Sequence, residues 1–165
     1  MARSILVSPG SETLVDEWSF ELASQFTWYV HPTKNVVYAR RMWWEDGKQR
    51  SQGLHTLLTG WPKVDHRDGD GLNNQLFNLR PVTDAQNLQN ARARSATSVY
   101  KGVGRHCDKW RARIYVSGIR LELGSFALEE EAALAYDRAA REYFGEFACF
   151  NFPGPGESAA RRVRA

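Results

Sequence analysis

Along the first fifty positions, aromatic and β-branched residues alternate with polar ones. Phe26-Thr27-Trp28-Tyr29-Val30 and Val36-Val37-Tyr38-Ala39-Arg40 flank Pro32-Thr33-Lys34-Asn35, a turn sequence, and together predict a β-hairpin. Asp46-Gly47 supplies a second turn. Residues 54–59 predict one short helix, stopped by Gly60 and Pro62. From Val64 to Arg94 the pattern reads strand, long loop, strand, helix. Val64-Asp65-His66 is the first strand, and the loop that follows is rich in Asp, Asn and Gly. Leu79-Arg80-Pro81-Val82 suits only an edge strand, because Pro81 donates no ladder hydrogen bond. Thr83 or Asp84 then caps a helix running through Asn87 and Asn90 to about Arg94.

The second half has its own rhythm. Trp110, Ala112 and Ile114 alternate with Arg111, Arg113 and Tyr115, the period of a half-buried strand. Ser117-Gly118 turns the chain, and Leu121 and Leu123 oppose Arg120 and Glu122. Leu128, Ala132, Ala135, Tyr136, Ala139 and Tyr143 then recur at three and four residues, a helix over about 128–144. These patterns divide the chain into 1–94, a linker at 95–97, a second domain at 98–153 and a tail at 154–165 too poor in apolar residues to fold. The fold class is α+β.

Charge sharpens this division. Residues 1–90 carry 9 Lys/Arg and 10 Asp/Glu, whereas 91–165 carry 13 and 9. Between 91 and 125 there are 8 basic residues against Asp108 and Glu122 alone. A basic stretch on a near-neutral body points to a polyanionic partner. A nucleic-acid packaging protein would be basic throughout, and this chain is not. Two cysteines, Cys107 and Cys149, make neither a disulfide framework nor a zinc spacing. No apolar run approaches a membrane span, and the first residues do not read as a secretory signal, so an intracellular setting without membrane contact is expected.

Asp65 and His66 with Asn73, Asn74, Asn78, Asn87 and Asn90 form the densest polar constellation. A carboxylate and an amide oxygen suit a hard octahedral cation, and an imidazole beside it suits a general base. Asp68-Gly69-Asp70-Gly71 does not make a calcium loop, since that register would place His66 first and Phe77 twelfth. Turn-forming Asn and Asp also serve loops purely structurally. Adjacent strand residues point to opposite faces, so Asp65 and His66 share a site only where the strand end twists or bulges.

His55, Val64-Asp65-His66, Leu72-Asn73-Asn74, Asn78-Leu79-Arg80, Thr83 and Gln86-Asn87 resemble, in order and spacing, the HNH endonucleases of phages and mobile introns. The match runs over about 55–90. The resemblance implies a ββα-metal unit in which His66 activates water and Asp65 and Asn87 hold a divalent metal, Mg²⁺ before Mn²⁺. It further implies that Asn78 pins the hairpin and that His55 lies near the site. Thr56 and Arg67 depart from the family pattern, which favours Arg and an apolar residue there.

Tyr100-Lys101-Gly102-Val103, Lys109 to Ile114, Leu123-Gly124-Ser125-Phe126, Glu131 to Ala140 and Asn151-Phe152 are similar to an AP2 domain, over 98–153. That resemblance implies a three-stranded antiparallel sheet on one helix, with the sheet in the major groove of double-stranded DNA. Lys101, Arg105, Lys109, Arg111, Arg113, Tyr115 and Arg120 are the expected DNA-binding residues. Gly104 stands where plant regulators carry an additional Arg, so their base preference does not transfer. The two resemblances together imply a site-directed DNA endonuclease of homing type. The rival is a DNA-binding regulator whose nuclease unit has decayed. One site per chain serves a nick, so a monomer suffices; a double-strand break needs two events or a dimer.

Overall fold

The computed structural model describes residues 1–33, 36–90 and 97–160, except the side chains at 88 and 90. The expected turn residues Lys34 and Asn35, the helix end at 91–94, linker positions 95 and 96 and the tail at 161–165 lie outside the described residues. The fold is α+β, as expected, and among the described residues it has a five-stranded, a three-stranded and two two-stranded sheets with four α-helices. It divides into two compact units, 1–82 and 83–165.

The first unit is built on a five-stranded sheet. Its strands are β1 (Ala2–Ser8), β2 (Ser11–Asp16), β3 (Trp28–Pro32), β4 (Val37–Glu45) and β5 (Lys48–Gly53), in the order β2-β1-β3-β4-β5. The expected hairpin is the antiparallel pair β3–β4. Asp46-Gly47 turns β4 into β5, both residues at positive φ, as a two-residue hairpin turn demands. The β1–β2 hairpin and helix α1 (Glu17–Ser24) were not anticipated; only their alternating burial marks them. Val7, Val15, Trp28, Ala39 and Leu54 form the core, with Phe20 and Phe26 packed on it. Trp28 Nε1–H donates to the Ala23 carbonyl at 2.8 Å, which satisfies the indole inside that core.

Helix α2 (Leu54–Thr59) occupies its predicted span and ends at Gly60 in the left-handed conformation. β6 (Val64–His66) and β7 (Leu79–Pro81) pair antiparallel, with a 3-10 turn at Leu76–Asn78 leading into β7. The intervening loop is tied far back along the chain. Leu14 N–H donates to the Leu72 carbonyl and Asn74 N–H to the Leu14 carbonyl, so β2 holds the loop by its backbone.

The second unit begins earlier than the sequence pattern indicates. Helix α3 (Asp84–Asn90), assigned by pattern to the first half, belongs to it. The reason is local: the Lys101 ammonium donates to the Gln89 carbonyl, and Cys149 Sγ approaches the same oxygen at 3.8 Å. Strands β8 (Val103–His106), β9 (Lys109–Val116) and β10 (Ile119–Phe126) form an antiparallel sheet in the order β10-β9-β8, covered by helix α4 (Glu129–Phe144). Small residues on α4, Ala132, Ala133, Ala135, Ala139 and Ala140, are buried, which lets the helix lie close on Ala112 and Ile114. Asp137 accepts from the Asn151 and Phe152 amides at 2.8 Å, and Asn151 in turn bonds both backbone groups of Lys101.

The tail is a correction. Expected to be unfolded, residues 154–160 fold back, so that β11 (Cys149–Phe150) pairs in parallel with β12 (Ser158–Ala159). Composition misleads because two specific bonds replace apolar area: Arg141 clamps Glu157 at 2.7 Å, and Ala160 N–H donates to the Phe150 carbonyl at 2.7 Å. Ala160 is fully buried.

Candidate active site and nucleic-acid interface

In the first unit, β6 carries Asp65 and His66 into a buried setting. Their cross-strand partners are Arg80 and Leu79, in a register that is regular through all three pairs, so no bulge turns the two side chains together. Asp65 Oδ2 accepts from Arg80 Nε at 2.9 Å and Nη2 at 2.7 Å, an ion pair in which both side chains are buried. The carboxylate nonetheless stays close enough for its charge to act on His66 and Tyr38.

Among the described residues, His66 meets Asn74, His55 and Tyr38. Its Nε2 lies 3.3 Å from Asn74 Oδ1. Asn74 uses its amide nitrogen to donate to Thr13 Oγ1 at 2.8 Å and to the Gly71 carbonyl at 3.3 Å, which fixes Oδ1 as an acceptor. The partner nitrogen of His66 is therefore Nε2–H, and the imidazole lone pair sits on Nδ1. Edge-on to the ring stands His55, centroid to centroid 5.2 Å, and Tyr38 lies 5.7 Å from His66 and 5.5 Å from His55. Two glycines make room for this group of rings. A Cβ at Gly53 would fall 2.7 Å from His55 Cε1, and one at Gly71 would fall 2.3 Å from the Val37 carbonyl oxygen and 2.6 Å from Tyr38 Cδ1.

Burial sets the protonation of this cluster. It lowers the His66 pKa, against the Asn74 hydrogen bond and the charges of Asp68, Asp65 and Asp70. His55 is pushed down to about 4 by burial, then by neighbouring His66 and Arg40, and its Nδ1 is buried with no hydrogen-bond partner among the described residues. Burial, with Asp65, raises Tyr38. Near neutral pH both imidazoles are uncharged bases and the phenol keeps its proton.

Asn78 is buried beneath the loop. Its Nδ2 donates to Asp68 Oδ1 at 3.0 Å and the Asn73 carbonyl at 2.8 Å, while its Oδ1 accepts the Asp68 amide at 3.1 Å. Asp68 Oδ2 also accepts from Asn73 Nδ2 at 2.7 Å. Loop 68–78 is thereby closed by its own side chains, so these Asp and Asn residues set its shape. Asn87, the other expected metal ligand, stands exposed on α3 in the second unit. Among the described residues no three His, Cys, Asp or Glu side chains gather as a metal cluster. The expected donor within the first unit is the Asp65 carboxylate, a hard oxygen of the kind Mg²⁺ prefers, whereas Asn87 belongs to the second unit.

The sheet of the second unit presents a different surface. Ala112 and Ile114 are buried against α4, whereas Lys109, Arg113 and Tyr115 are exposed and Arg111 is half-buried on the opposite face. Arg120 stands across from Tyr115 and joins them. Glu122 sits among these cations, 3.8 Å from Arg111 Nε and 3.2 Å from Arg120 Nε. Two expected members are elsewhere. Arg105 pairs in register with Trp110 and lies over its ring, on the helix-facing side near the strand edge. The Lys101 ammonium is turned to the Gln89 carbonyl and Cys149. Alternation from a strand end explains the first, and a local cap on α3 the second.

An uncharacterized HNH endonuclease of Acanthamoeba polyphaga mimivirus is 33% identical over 144 residues, covering 83% of this chain and 72% of that protein. The chain belongs to the HNH endonuclease family. It is also homologous to AP2/ERF proteins over about 40% of its length. An AP2/ERF and B3 domain-containing protein of Oryza sativa is 48% identical over 71 residues, and an ethylene-responsive transcription factor of Arabidopsis thaliana is 41% identical over 87. The chain spans only 20% of each of these plant proteins. No family model matches. Among the described residues no helix is long and apolar enough to cross a membrane.

Within this HNH chain, sequence reasoning missed Tyr38, Thr13 and Arg80 as parts of the site. Tyr38 reads as one more hairpin aromatic, and Thr13 lies 61 residues from the Asn74 amide it accepts. Arg80 alone left a trace, as the residue opposite Asp65 once the two strands are paired.

Proposed function

We propose that the chain is a site-directed DNA endonuclease, with hydrolysis in the first unit and duplex recognition on the sheet of the second. The observation that carries this reading is His66: buried, uncharged near neutral pH, and oriented through Asn74 with its lone pair on Nδ1, in a chain of the HNH family. Nδ1 takes the proton of a water as that water attacks phosphorus. The imidazolium that forms lies among Asp65, Asp68 and Asp70, whose charges favour it. His55 and Tyr38 restrict the ring so that its reorientation does not compete with proton transfer. Asp65, in the first unit, is the proposed protein ligand of a divalent cation, Mg²⁺ before Mn²⁺, which would supply charge stabilisation to the phosphate and the leaving 3′ oxygen. Products are a 3′-hydroxyl and a 5′-phosphate. On the second unit, Lys109, Arg111, Arg113, Tyr115 and Arg120 face the major groove of double-stranded DNA. The pairing of a cutter with a reader supports a homing role.

Supercoiled plasmid incubated with Mg²⁺ tests this. The native chain should convert it to nicked or linear form, and His66→Ala should cut ~10²–10⁴-fold more slowly with DNA affinity unchanged. Near-native cutting by the variant would remove His66 from the reaction. The rival reading, a DNA-binding regulator with a decayed nuclease unit, draws on one observation, the engagement of Asp65 Oδ2 by Arg80. It requires binding without nicking in the same assay.

A further inference from the structure

Pairing of β3 with β4 ends at Tyr29 opposite Arg40, whereas β4 and β5 remain paired out to Glu45 opposite Lys48. Residues 42–51 therefore form a two-stranded ribbon reaching roughly 17 Å past the inner strands at the usual rise per residue. Every one of these ten residues is exposed. Core packing explains none of them, yet Met42 (52% exposed), Trp43 (37%) and Trp44 (73%) are among them.

The two faces of the ribbon differ. Trp43 shares its face with Arg41, Lys48 and Arg50, and the Arg41 guanidinium lies over the Trp43 ring at 4.9 Å. Glu45 is the one acid there, held to Arg50 at 3.2 Å in an exposed pair that contributes little and yields readily to a phosphate. The other face carries Met42 and Trp44 opposite Ser51 and Gln49, with the Arg40 guanidinium donating to Ser51 Oγ at 2.8 Å at its base. Lys48 and Arg50 on the outermost strand also discourage strand addition, but edge protection gives no reason to expose tryptophan.

We propose that this ribbon is a second duplex-DNA contact, built into the nuclease unit and separate from the AP2-like sheet. A two-stranded β-ribbon fits the ~12 Å major groove. Its cationic face suits the phosphates, and its amide, hydroxyl and apolar face suits base edges and thymine methyl groups. The inference rests on the reading of the chain as a DNA nuclease.

The test uses the full chain, a labelled mixed-sequence duplex and EDTA, so that binding is read without cutting. Lys48→Ala/Arg50→Ala should lower the salt dependence of affinity by about one unit for each phosphate left without its cation. Trp44→Ala should weaken binding on the order of tenfold while leaving that slope unchanged. All three side chains are exposed, so melting curves should overlay the native one. Photocrosslinking of the native chain to a duplex carrying 5-iododeoxyuridine gives a readout that needs no variant, and the adduct should map within residues 42–51. Native binding with unchanged affinity and slope in both variants, or crosslinks confined to other segments, overturns the ribbon contact and leaves the nuclease reading standing. Variants that bind DNA normally but sediment as a smaller species would make the ribbon an interface between copies, which also overturns it. Failure of the native chain to bind any duplex overturns both readings together.

Discussion

The buried cluster around His66 and the open face of the β8–β10 sheet solve opposite problems. Around His66 a buried hydrogen-bond chain runs from Thr13 through Asn74 to the imidazole, and two glycines make room for the packed rings. On the sheet, strand alternation alone aims Lys109, Arg111, Arg113 and Tyr115 outward, and their one acidic neighbour, Glu122, sits in water with them. A reacting atom must be placed to within tenths of an ångström, so its neighbours are buried and mutually constrained. A groove-reading surface gains by keeping long side chains solvated and adjustable. Damage should therefore be abrupt in the first region and graded in the second.

The largest expected effect comes from Asp65→Ala. It removes one partner of the buried Asp65–Arg80 ion pair, a loss that costs about 3–5 kcal/mol. Urea denaturation of the full chain should show that loss in the first unit's transition, with cleavage abolished as well. Arg80→Met with Asp65→Ala together should recover much of the stability and none of the cleavage, which separates the structural part of Asp65 from the chemical part. Equal stability of the single variant and the native chain would mean that the pair is not held in solution.

Protonation gives the next effect. His55 has a folded pKa of about 4, below its unfolded value near 6.5, so the unfolded chain binds more protons between these limits. Stability is thus complete above about pH 6.5 and falls as pH drops toward 4, by up to about 3 kcal/mol from this residue. His66, shifted in the same direction, adds to the trend. Denaturation midpoints across this window should show the slope, and His55→Phe should flatten it. A slope unchanged in that variant would place the acid sensitivity elsewhere.

Smallest in stability terms are the sheet arginines. Arg111→Ala or Arg113→Ala should leave melting unchanged. If either makes a bidentate guanine contact, its loss should cost ~1–3 kcal/mol of affinity and relax preference at one base position. A phosphate contact instead predicts even weakening across sequences and a salt slope lower by about one. Titrations of target and scrambled duplexes over a salt series distinguish the two. No change in the double variant would move the interface off this face.

The same contrast explains what the sequence conveys. Alternation at 109–115 and the three-and-four spacing at 128–144 are written locally, and β9 and α4 appear where the pattern puts them. The turn at Asp46-Gly47 and helix 54–59 are equally local. Asp65, His66 and Asn78 stood out in the sequence because their spacing resembles a motif. Their supports were not. Tyr38, Thr13 and Arg80 reach the site through pairings of distant strands, and no window of neighbouring residues records which strands pair. The places of Arg105 and Lys101 away from the outward face were hidden for a related reason, since net charge counts a cation without saying which face of a strand carries it.

The short strap at 154–160 redraws where the second unit can be cut out. Its strand β12 lies along β11, its Glu157 is gripped by Arg141 from α4, and Ala160 fills a closed position behind Phe150. A protease that needs an extended segment in its cleft finds none there until the strap peels away. Trimming at residue 153 would unpair the β11 edge and leave Arg141 without its carboxylate. The second compact unit accordingly takes in α3 at one end and the strap at the other.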